Sequence, residues 1–190
     1  RVGASRATPT PMVLDADFLV LGSGVAGLTF ALEAAKHGSV LVVTKRARDD
    51  SNTKWAQGGI AAVLAADDSF EAHVDDTRVA GSGLCHDVVV DLCVREGPAR
   101  VDALRDLGVR FTLREGDESE LDLAREGGHS ARRVAHVRDM TGAAVEDALV
   151  AAAAALPNVR FLENHTAIDL ITLSKFGGPD QCVGAYALDE

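Results

Sequence analysis

The sequence has few basic residues, few cysteines and no long apolar run. Its 190 residues include 19 Lys and Arg against 29 Asp and Glu, which gives a formal net charge of −10. A nucleic-acid-binding domain is expected to carry a basic face, so this charge argues against that class. No apolar run approaches the roughly 20 residues that a membrane-spanning helix needs. With 47% apolar and 25% charged residues, the chain nevertheless has the composition of a folded domain.

The three cysteines, at positions 85, 93 and 182, match no disulfide or zinc pattern. Their number is odd, no CxxC pair occurs, and the histidines include no HExxH motif. The sequence therefore predicts reduced thiols in a cytoplasmic protein and no metal site. Residues 1–15 are expected to form a disordered leader, because the segment is short, has no apolar core of the kind a targeting peptide carries, and lies at a terminus.

The clearest pattern lies near the start of the chain, where a strand, a glycine-rich turn, a helix and a second strand follow one another. The apolar run at 16–21 is typical of a buried parallel strand. Residues 28–37 predict a helix that Gly38 would end, and residues 40–43 predict the second strand. The glycine motif thus stands at a strand-to-helix turn, which is the context a dinucleotide-binding motif requires.

Each glycine of this motif has a physical role at such a turn. Gly22 allows the sharp change of direction, Gly24 lets the backbone approach a pyrophosphate, and Gly27 lets the helix pack close to the strand. The N-terminus of the helix adds free N–H groups and a partial positive charge, which favour an anion. The sequence therefore predicts a dinucleotide phosphate at residues 22–27.

The end of the second strand departs from the simplest nicotinamide-binding pattern. Such sites usually have Asp or Glu about 20 residues past the glycines to hold the ribose hydroxyl groups. Here the sequence is Thr44-Lys45-Arg46. The missing carboxylate disfavours NAD, whereas two basic residues suit the 2′-phosphate of NADP, so NADP remains open at this point.

A second polar, glycine-rich segment, Ser51–Gly59, follows the second strand. It supplies hydroxyl groups, an amide, an indole ring and the pair Gly58-Gly59. Such a segment can place backbone N–H groups against the edge of a flavin, and a simple nicotinamide-binding domain has no need of it. The alternative is an ordinary surface loop with Trp55 as a packing residue.

The rest of the chain predicts a long insertion, a further helix and strand, and a meander. This order indicates an α/β fold, a Rossmann-like FAD-binding domain of the glutathione-reductase type with a β-meander, incomplete in this chain. Helices are expected from Ser69 to about 80, over 86–96, from Pro98 to Gly108 and from a cap at Thr141 to about 156. Strands are expected at 110–113, 120–123 and 159–162, and at 166–173 and 182–188, where the turn 177–180 makes a hairpin.

Four motifs occur in a characteristic order. They are Gly22-Ser23-Gly24-Val25-Ala26-Gly27, Ala56-Gln57-Gly58-Gly59-Ile60-Ala61, Asp75-Asp76-Thr77 with Ala80-Gly81-Ser82-Gly83-Leu84-Cys85, and Arg125-Glu126-Gly127-Gly128-His129-Ser130 followed by Arg132, Arg133 and His136. Over about residues 16–188 the chain resembles the flavoprotein family of succinate dehydrogenase and fumarate reductase, most specifically its L-aspartate oxidase branch. The last motif is the most specific part of the resemblance.

The resemblance implies that the cofactor is FAD. Relatives that tether the flavin covalently have His where this sequence has Asn52, and an amide cannot form that bond, so the resemblance implies non-covalent FAD. The implied cofactor-binding residues are Gly22, Ser23, Gly24, Val25, Ala26 and Gly27 at the pyrophosphate, Lys45 at the ribose, Asn52, Thr53, Lys54, Trp55, Ala56, Gln57, Gly58 and Gly59 at the isoalloxazine, and Thr166 and Ala167 near the adenine.

The same resemblance implies that L-aspartate is the substrate. Glu126 matches a residue that the family places near the substrate, where a carboxylate would face the α-ammonium group, and His129 is expected in the same site. The alternatives are an ion pair of Glu126 with Arg132 or Arg133 that holds the loop, and a structural role for His129. In such enzymes L-aspartate is oxidised to iminoaspartate for quinolinate and NAD biosynthesis, oxygen or fumarate accepts the electrons, and quinolinate synthase is a further expected partner.

The family takes its catalytic Arg from outside the region that this sequence matches, together with a cap domain and a C-terminal segment. Residues 16–190 are therefore expected to be the N-terminal part of an FAD-binding domain, and no catalytic base is assigned. Two alternatives stay open, a fumarate reductase-like or succinate dehydrogenase-like flavoprotein and a non-catalytic nucleotide-binding module. Asn52 and Glu126 favour an L-aspartate oxidase over the first of these.

Overall fold

The computed structural model describes residues 12–190, which form an α/β fold with a parallel sheet at its centre. The predicted α/β class is confirmed. The helices are α1 (Val25–Ala34), α2 (Phe70–Gly81), α3 (Asp87–Asp106) and α4 (Thr141–Ala154). The strands are β1 (Phe18–Leu21), β2 (Val40–Val43), β3 (Ile60–Ala61), β4 (Leu113–Arg114), β5 (Asp117–Leu121), β6 (Leu123–Ala124), β7 (Val134–Ala135), β8 (Val159–Leu162), β9 (His165–Thr172) and β10 (Cys182–Asp189).

The central sheet has three parallel strands in the order β1-β2-β8. Leu21 pairs with Val43, and Val43 pairs with Leu162 on its other side, so the carboxyl ends of the three strands lie at one edge. All four residues of the middle strand β2 are buried, as expected for an apolar run inside a parallel sheet. Open α/β sheets bind ligands at this edge, which makes it the first place to look for a site.

Helices α1 and α4 pack against each other and share one core with the sheet. Leu28 and Ala31 of α1 are buried, as are Leu149 and Ala153 of α4. Their spacing of three or four residues puts each pair on one helix face. The mutual packing of these two faces fixes the position of the N-terminal end of α1 relative to α4.

The predicted boundaries of the first helix were wrong. Helix α1 begins at Val25, three residues before the expected start, because the glycine-rich turn already ends at Gly24, which is the N-cap. It ends at Ala34, and a turn follows. The C-cap is Ala35, and the Gly38 N–H still donates to the Ala34 carbonyl at 3.2 Å. A Cβ atom at Gly38 would lie 2.7 Å from Oδ2 of Asp17.

The two helices predicted on either side of Pro98 form the single helix α3. A proline inside a helix lacks the N–H of one backbone hydrogen bond, which is why the sequence indicated a break. The buried residues Val94 and Val101 lie seven positions apart, on the same face and on both sides of the proline. The packing of this face keeps the helix continuous.

Short antiparallel pairs complete the fold. The predicted hairpin at 110–123 is present as β4 and β5, and the predicted terminal hairpin is present as β9 and β10. The small sheet β3-β7-β6 was not predicted, because two-residue strands carry no periodic signal.

Thr141 is the first residue of α4 rather than its cap, and its Oγ1 atom accepts a hydrogen bond from the Val137 N–H at 3.0 Å.

Residues 1–11 of the expected leader lie outside the described residues. Just beyond them, the main-chain oxygen of Asp15 accepts a hydrogen bond of 2.8 Å from Nη2 of Arg160 on β8. The division into a leader and a domain stays a prediction. None of the helices described between residues 12 and 190 is both long and apolar enough to cross a membrane.

Candidate functional site

The glycine-rich turn lies at the carboxyl edge of the central sheet. Gly22 has a φ of 101°, which favours glycine, and its N–H donates to the Val43 carbonyl at 2.8 Å. The buried hydroxyl of Ser23 donates to Oγ1 of Thr44 at 3.2 Å. These bonds join the turn after β1 to the end of β2.

Gly27 permits the closest approach within this turn. A Cβ atom at that position would lie 2.1 Å from the carbonyl oxygen of Gly22, a distance that no side chain tolerates. The first turn of α1 therefore lies directly against the end of β1. This is the close helix-to-strand packing that the third glycine of the motif was predicted to allow.

The N-terminal end of α1 suits an anion such as a pyrophosphate. Its first turn contains no acidic residue, and its backbone bonding starts with the Leu28 N–H, which donates to the Gly24 carbonyl at 3.0 Å. The N–H groups of Ala26 and Gly27 therefore point out of the helix end, where the helix dipole is positive. These residues fit the diphosphate of FAD.

The edge of the sheet also carries the residues predicted near the ribose and adenine. Lys45 follows β2, is exposed and forms no ion pair within residues 12–190. The Thr166 and Ala167 pair begins one residue into β9, and the His165 N–H before it donates to the Thr44 carbonyl at 3.0 Å. The glycine turn, Lys45 and the start of β9 thus lie at neighbouring strand ends.

Other charges near Lys45 are engaged with each other. Nη2 of Arg48 lies 2.6 Å from Oε2 of Glu163, and this hydrogen bond raises the pKa of Arg48 and lowers that of Glu163. Nη1 of Arg46 lies 3.3 Å from Oδ2 of Asp50. Lys45 is therefore the better placed of the two predicted basic residues to meet a ligand.

The flavin-lining segment predicted at residues 52–59 lies beside the glycine turn. The Val25 N–H donates to Oγ1 of Thr53 at 3.0 Å, and a Cβ atom at Gly24 would lie 3.4 Å from the same oxygen. Behind the segment, the Gly142 N–H at the start of α4 donates to the Ala56 carbonyl at 3.0 Å. The segment is thus held between α1 and α4.

The side chains of this segment differ in whether they form hydrogen bonds with other residues and in how exposed they are. Nζ of Lys54 lies 2.6 Å from Oδ2 of Asp49, and that hydrogen bond raises the pKa of Lys54. Trp55 is 71% exposed and so does not pack into the core of the described chain, while the lining of a flavin by this segment stays a prediction. The remaining predicted members that are exposed are Asn52, Ala56, Gln57 and Gly58.

The predicted substrate residues lie in a separate loop, here called the Glu126 loop (residues 125–130). Glu126 is exposed and forms no ion pair with any of residues 12–190. The alternative in which it pairs with Arg132 or Arg133 is not what the structure has. Nε of Arg132 donates to the Leu123 carbonyl at 2.7 Å, and Arg133 binds two aspartates.

His129 lies in the same loop with its ring edge-on to that of His73, at 6.0 Å between centroids. The Nδ1 atoms of both rings are buried and have no hydrogen-bonding partner among the described residues. Burial, Arg133 and His129 lower the pKa of His73. Within residues 12–190, no hydrogen bond joins the Glu126 loop to the glycine turn. The loop is linked to the flavin-lining segment by the sheet β3-β7-β6, in which β3 directly follows the flavin-lining segment and β6 directly precedes the Glu126 loop.

Sequence reasoning missed two buried features of this region. Arg133 is fully buried and binds Asp68 and Asp76, and Glu146 is a fully buried carboxyl group on α4. The Asp75-Asp76-Thr77 motif was a signal for the first, although it did not identify the partner. Between residues 12 and 190, no group of three or more His, Cys, Asp or Glu side chains is arranged to hold a metal ion.

Among known proteins, the chain is similar to L-aspartate oxidases from plants and bacteria. An L-aspartate oxidase of Nicotiana tabacum (2-b, chloroplastic) is 50% identical over 156 residues, which are 82% of this chain and 24% of that protein. L-aspartate oxidase 1 of Ralstonia nicotianae is 48% identical over 174 residues, which are 91% of this chain and 33% of that protein. The chain thus spans about a quarter to a third of the length of these curated relatives.

The solved structures point to the same kind of domain. E. coli quinol fumarate reductase matches with a TM-score of 0.83 and 28% identity, over 92% of this chain and 29% of that one. Mycobacterium smegmatis Sdh1 matches with a TM-score of 0.81 and 28% identity, over 90% of this chain and 30% of that one. Residues 17–190 match the family described as FAD binding domain. This match covers nearly the whole chain, and the glycine turn fits a diphosphate. The chain therefore belongs to the FAD-binding domain family, and its cofactor is FAD.

Proposed function

We propose that this chain is the FAD-binding part of an enzyme that oxidises L-aspartate to iminoaspartate. The observation that carries the proposal is the unpaired carboxylate of Glu126 among the described residues, since the nearby Arg132 and Arg133 are engaged elsewhere. Relatives named L-aspartate oxidase, at 44–50% identity, support the same substrate. Iminoaspartate would serve quinolinate and NAD biosynthesis.

Glu126 would bind the α-ammonium group of the substrate. Succinate and fumarate have no ammonium group, so a carboxylate at this position favours an amino acid over those dicarboxylates. A hydrogen bond between charged groups contributes roughly 1.5–3 kcal/mol, which is enough to set substrate preference. His129, four residues from Arg125 and buried on one side, would complete this end of the site.

When bound, FAD would supply the two-electron acceptor, since the hydride that leaves the α-carbon carries both electrons and the amino nitrogen gives up a proton. The residues of this chain would orient the cofactor. Ala26 and Gly27 would donate N–H groups to the diphosphate, Lys45 would lie at the ribose, and the flavin-lining segment would contact the isoalloxazine ring. Thr166 and Ala167 would lie near the adenine through their backbone.

Further proposals concern the electron acceptor, the fate of the product, the cellular location and the type of FAD-binding fold. Oxygen or fumarate would accept the electrons, and quinolinate synthase would take up the product. A cytoplasmic location is supported by Cys85, Cys93 and Cys182, which are free thiols. The strand order β1-β2-β8 with the β9–β10 hairpin supports a glutathione-reductase type of FAD-binding fold. A fumarate reductase-like activity is the second candidate, favoured by the similarity to E. coli quinol fumarate reductase.

The experiment uses the full-length protein with FAD bound and compares it with its Glu126→Gln variant. Wild type is expected to release hydrogen peroxide with L-aspartate and oxygen, and to be inactive with succinate. Because the variant keeps the shape but loses the charge, its KM for L-aspartate should rise roughly 10- to 100-fold. Steady-state kinetics measure this change.

Glu115→Gln is the matched control, since Glu115 is also an exposed glutamate and lies outside the Glu126 loop. Its KM for L-aspartate should equal that of wild type. Oxidation of succinate by wild type would favour the fumarate reductase-like candidate instead. A Glu126→Gln enzyme with unchanged KM would remove the assigned role of Glu126.

A further inference from the structure

One face of α2 contacts residues 128–130, the second half of the Glu126 loop. His73, Asp76 and Ala80 lie three or four residues apart, so their side chains share that face. The His73 ring contacts the His129 ring, Asp76 binds Ser130, and a Cβ atom at Gly128 would lie 3.8 Å from Cβ of Ala80. Three consecutive loop residues therefore rest on this one helix face.

Asp76 makes the strongest of these contacts. Its Oδ2 atom accepts three hydrogen bonds, from the Ser130 N–H at 2.7 Å, from the Ser130 hydroxyl at 2.7 Å and from Nη1 of Arg133 at 2.6 Å. The backbone hydrogen bond from Ser130 is the largest cause that lowers the pKa of Asp76, to about 2. Asp76 is therefore ionised at neutral pH and holds Ser130 through both of its donors.

Arg133 anchors Asp76 from the protein interior. The Arg133 and Asp68 side chains are fully buried, and the guanidinium binds both carboxylate oxygens of Asp68, through Nε at 2.9 Å and Nη2 at 2.8 Å. Such a bidentate pair has a defined orientation. Because the third donor of the guanidinium goes to Asp76, the carboxylate that holds Ser130 is itself fixed.

The rest of the loop is a tight turn that carries Glu126. The His129 N–H donates to the Glu126 carbonyl at 3.2 Å, Nε of Arg125 donates to the His129 carbonyl at 2.8 Å, and Gly128 has a φ of 87°. A shift of Ser130 would move this turn as a unit. The placement of the Glu126 carboxylate thus depends on a bond made four residues later.

We infer that Asp76 is a positioning residue for substrate recognition, holding Ser130 so that Glu126 meets the α-ammonium group of the amino-acid substrate. The inference rests on the proposed function. Asp76 itself touches no substrate atom in this assignment. Its effect reaches the substrate through the Ser130 contacts and the turn at Gly128.

The test compares three variants of the full-length, FAD-loaded protein. Ser130→Ala removes the hydroxyl bond to Asp76 and the longer one, at 3.4 Å, from Nη2 of Arg133. The Ser130 N–H bond to Asp76 and the Asp76–Arg133 ion pair remain, so KM for L-aspartate should rise about 3- to 10-fold while kcat changes less than about twofold. Asp76→Asn should raise KM further. Asp75→Asn is the matched control, because Asp75 is exposed and pairs only with Arg78 on α2.

A double-mutant cycle with Glu126→Gln separates positioning from general destabilisation. If Asp76 and Ser130 act through Glu126, Ser130→Ala should raise KM little or not at all in the Glu126→Gln background. Equal effects in both backgrounds would overturn the inference. If Asp76→Asn does not fold, the Ser130→Ala arm decides the outcome alone.

Amide hydrogen exchange tests the inference independently of the proposed function, because it reports on the loop and not on activity. Residues 125–130 should exchange about 10-fold faster in Ser130→Ala than in wild type or Asp75→Asn, since the loop opens locally. If wild type does not oxidise L-aspartate, the proposed function is wrong, whereas the exchange still reports on the loop. Unchanged exchange in the loop would show that Asp76 and Ser130 do not position it.

Discussion

Glu146 is a fully buried carboxyl group on α4, directly behind the flavin-lining segment. Neither of its oxygens has a hydrogen-bonding partner among the described residues. Burial raises the pKa of Glu146 most, and the nearby Asp147 carboxylate raises it further. The Ser51 hydroxyl lies near enough to oppose this rise, although it does not reach hydrogen-bonding geometry. Ionisation of Glu146 would therefore disfavour the folded state.

The sign of the resulting pH dependence follows from the raised pKa. Between pH 4.5, its ordinary pKa, and its higher folded-state pKa, Glu146 is ionised in the unfolded chain but retains its proton in the folded one. The folded state then binds more protons, so the free energy of unfolding falls as pH rises through the folded-state pKa. We expect Glu146→Gln to abolish this loss, with a stabilisation on the order of 1 kcal/mol at pH 8 and little change near pH 4. Thermal unfolding of the full-length protein at the two pH values measures it.

Glu115→Gln provides the comparison, because it makes the same chemical change at an exposed site. Its unfolding temperature should follow that of wild type at both pH values. A Glu146→Gln variant with the same pH dependence as wild type would mean that Glu146 finds a partner for its charge in the folded protein.

Residues with local roles could be predicted from the sequence, and residues with distant partners could not. Gly22 and Gly27 were predicted because the motif itself encodes a positive φ and a close approach, and both are present. The bond between Asp76 and Ser130 joins residues 54 positions apart. Its existence depends on how α2 meets the Glu126 loop, which no local pattern encodes.

At the scale of elements, long periodic runs were predicted and short or packed ones were not. Strands β1, β2 and β8 were recognisable as apolar runs of the right length. The pairing of β3 with β7 depends on Ile60 meeting Ala135, which the chain brings together only in the tertiary fold. The continuity of α3 past Pro98 likewise depends on the buried face that Val94 and Val101 share.

Helix α4 holds the flavin-lining segment at a point where only glycine fits. A Cβ atom at Gly142 would lie 2.0 Å from the Thr53 carbonyl oxygen and 2.6 Å from that of Ala56. We therefore expect Gly142→Ala to push the segment away from α4. Since such overpacking costs roughly 1–3 kcal/mol, the dissociation constant of FAD in the full-length protein should rise about 10-fold or more. Flavin titration measures this constant.

Gly184→Ala on β10 is a suitable control, because its new Cβ atom would lie in ordinary contact, 3.6 Å from Cδ1 of Ile171. The FAD affinity of this variant should match that of wild type. Unchanged FAD affinity in Gly142→Ala would mean that the flavin-lining segment does not depend on α4 for its position.

At the scale of the whole molecule, the residues predicted to bind the cofactor lie along one edge of the central sheet and in the segment beside it. The glycine turn, Lys45 and the start of β9 follow three strands whose ends are in register. The order of the strands explains why residues so far apart in sequence converge there. The Glu126 loop packs against α2 and not against this edge, so the residues predicted for cofactor binding and those proposed for substrate recognition belong to different parts of the fold.

The sequence predicts that FAD is bound without a covalent bond to the protein. Asn52 is exposed in the flavin-lining segment, and its amide is not a nucleophile that could join to the isoalloxazine ring. We expect acid precipitation of the full-length, FAD-loaded protein to release all of its flavin into the supernatant, as measured by absorbance and by mass spectrometry of the pellet. Because binding to the folded state alone raises stability with ligand concentration, added FAD should also raise the unfolding temperature. Flavin that stays with the denatured polypeptide would contradict this assignment and point to a nucleophile other than residue 52.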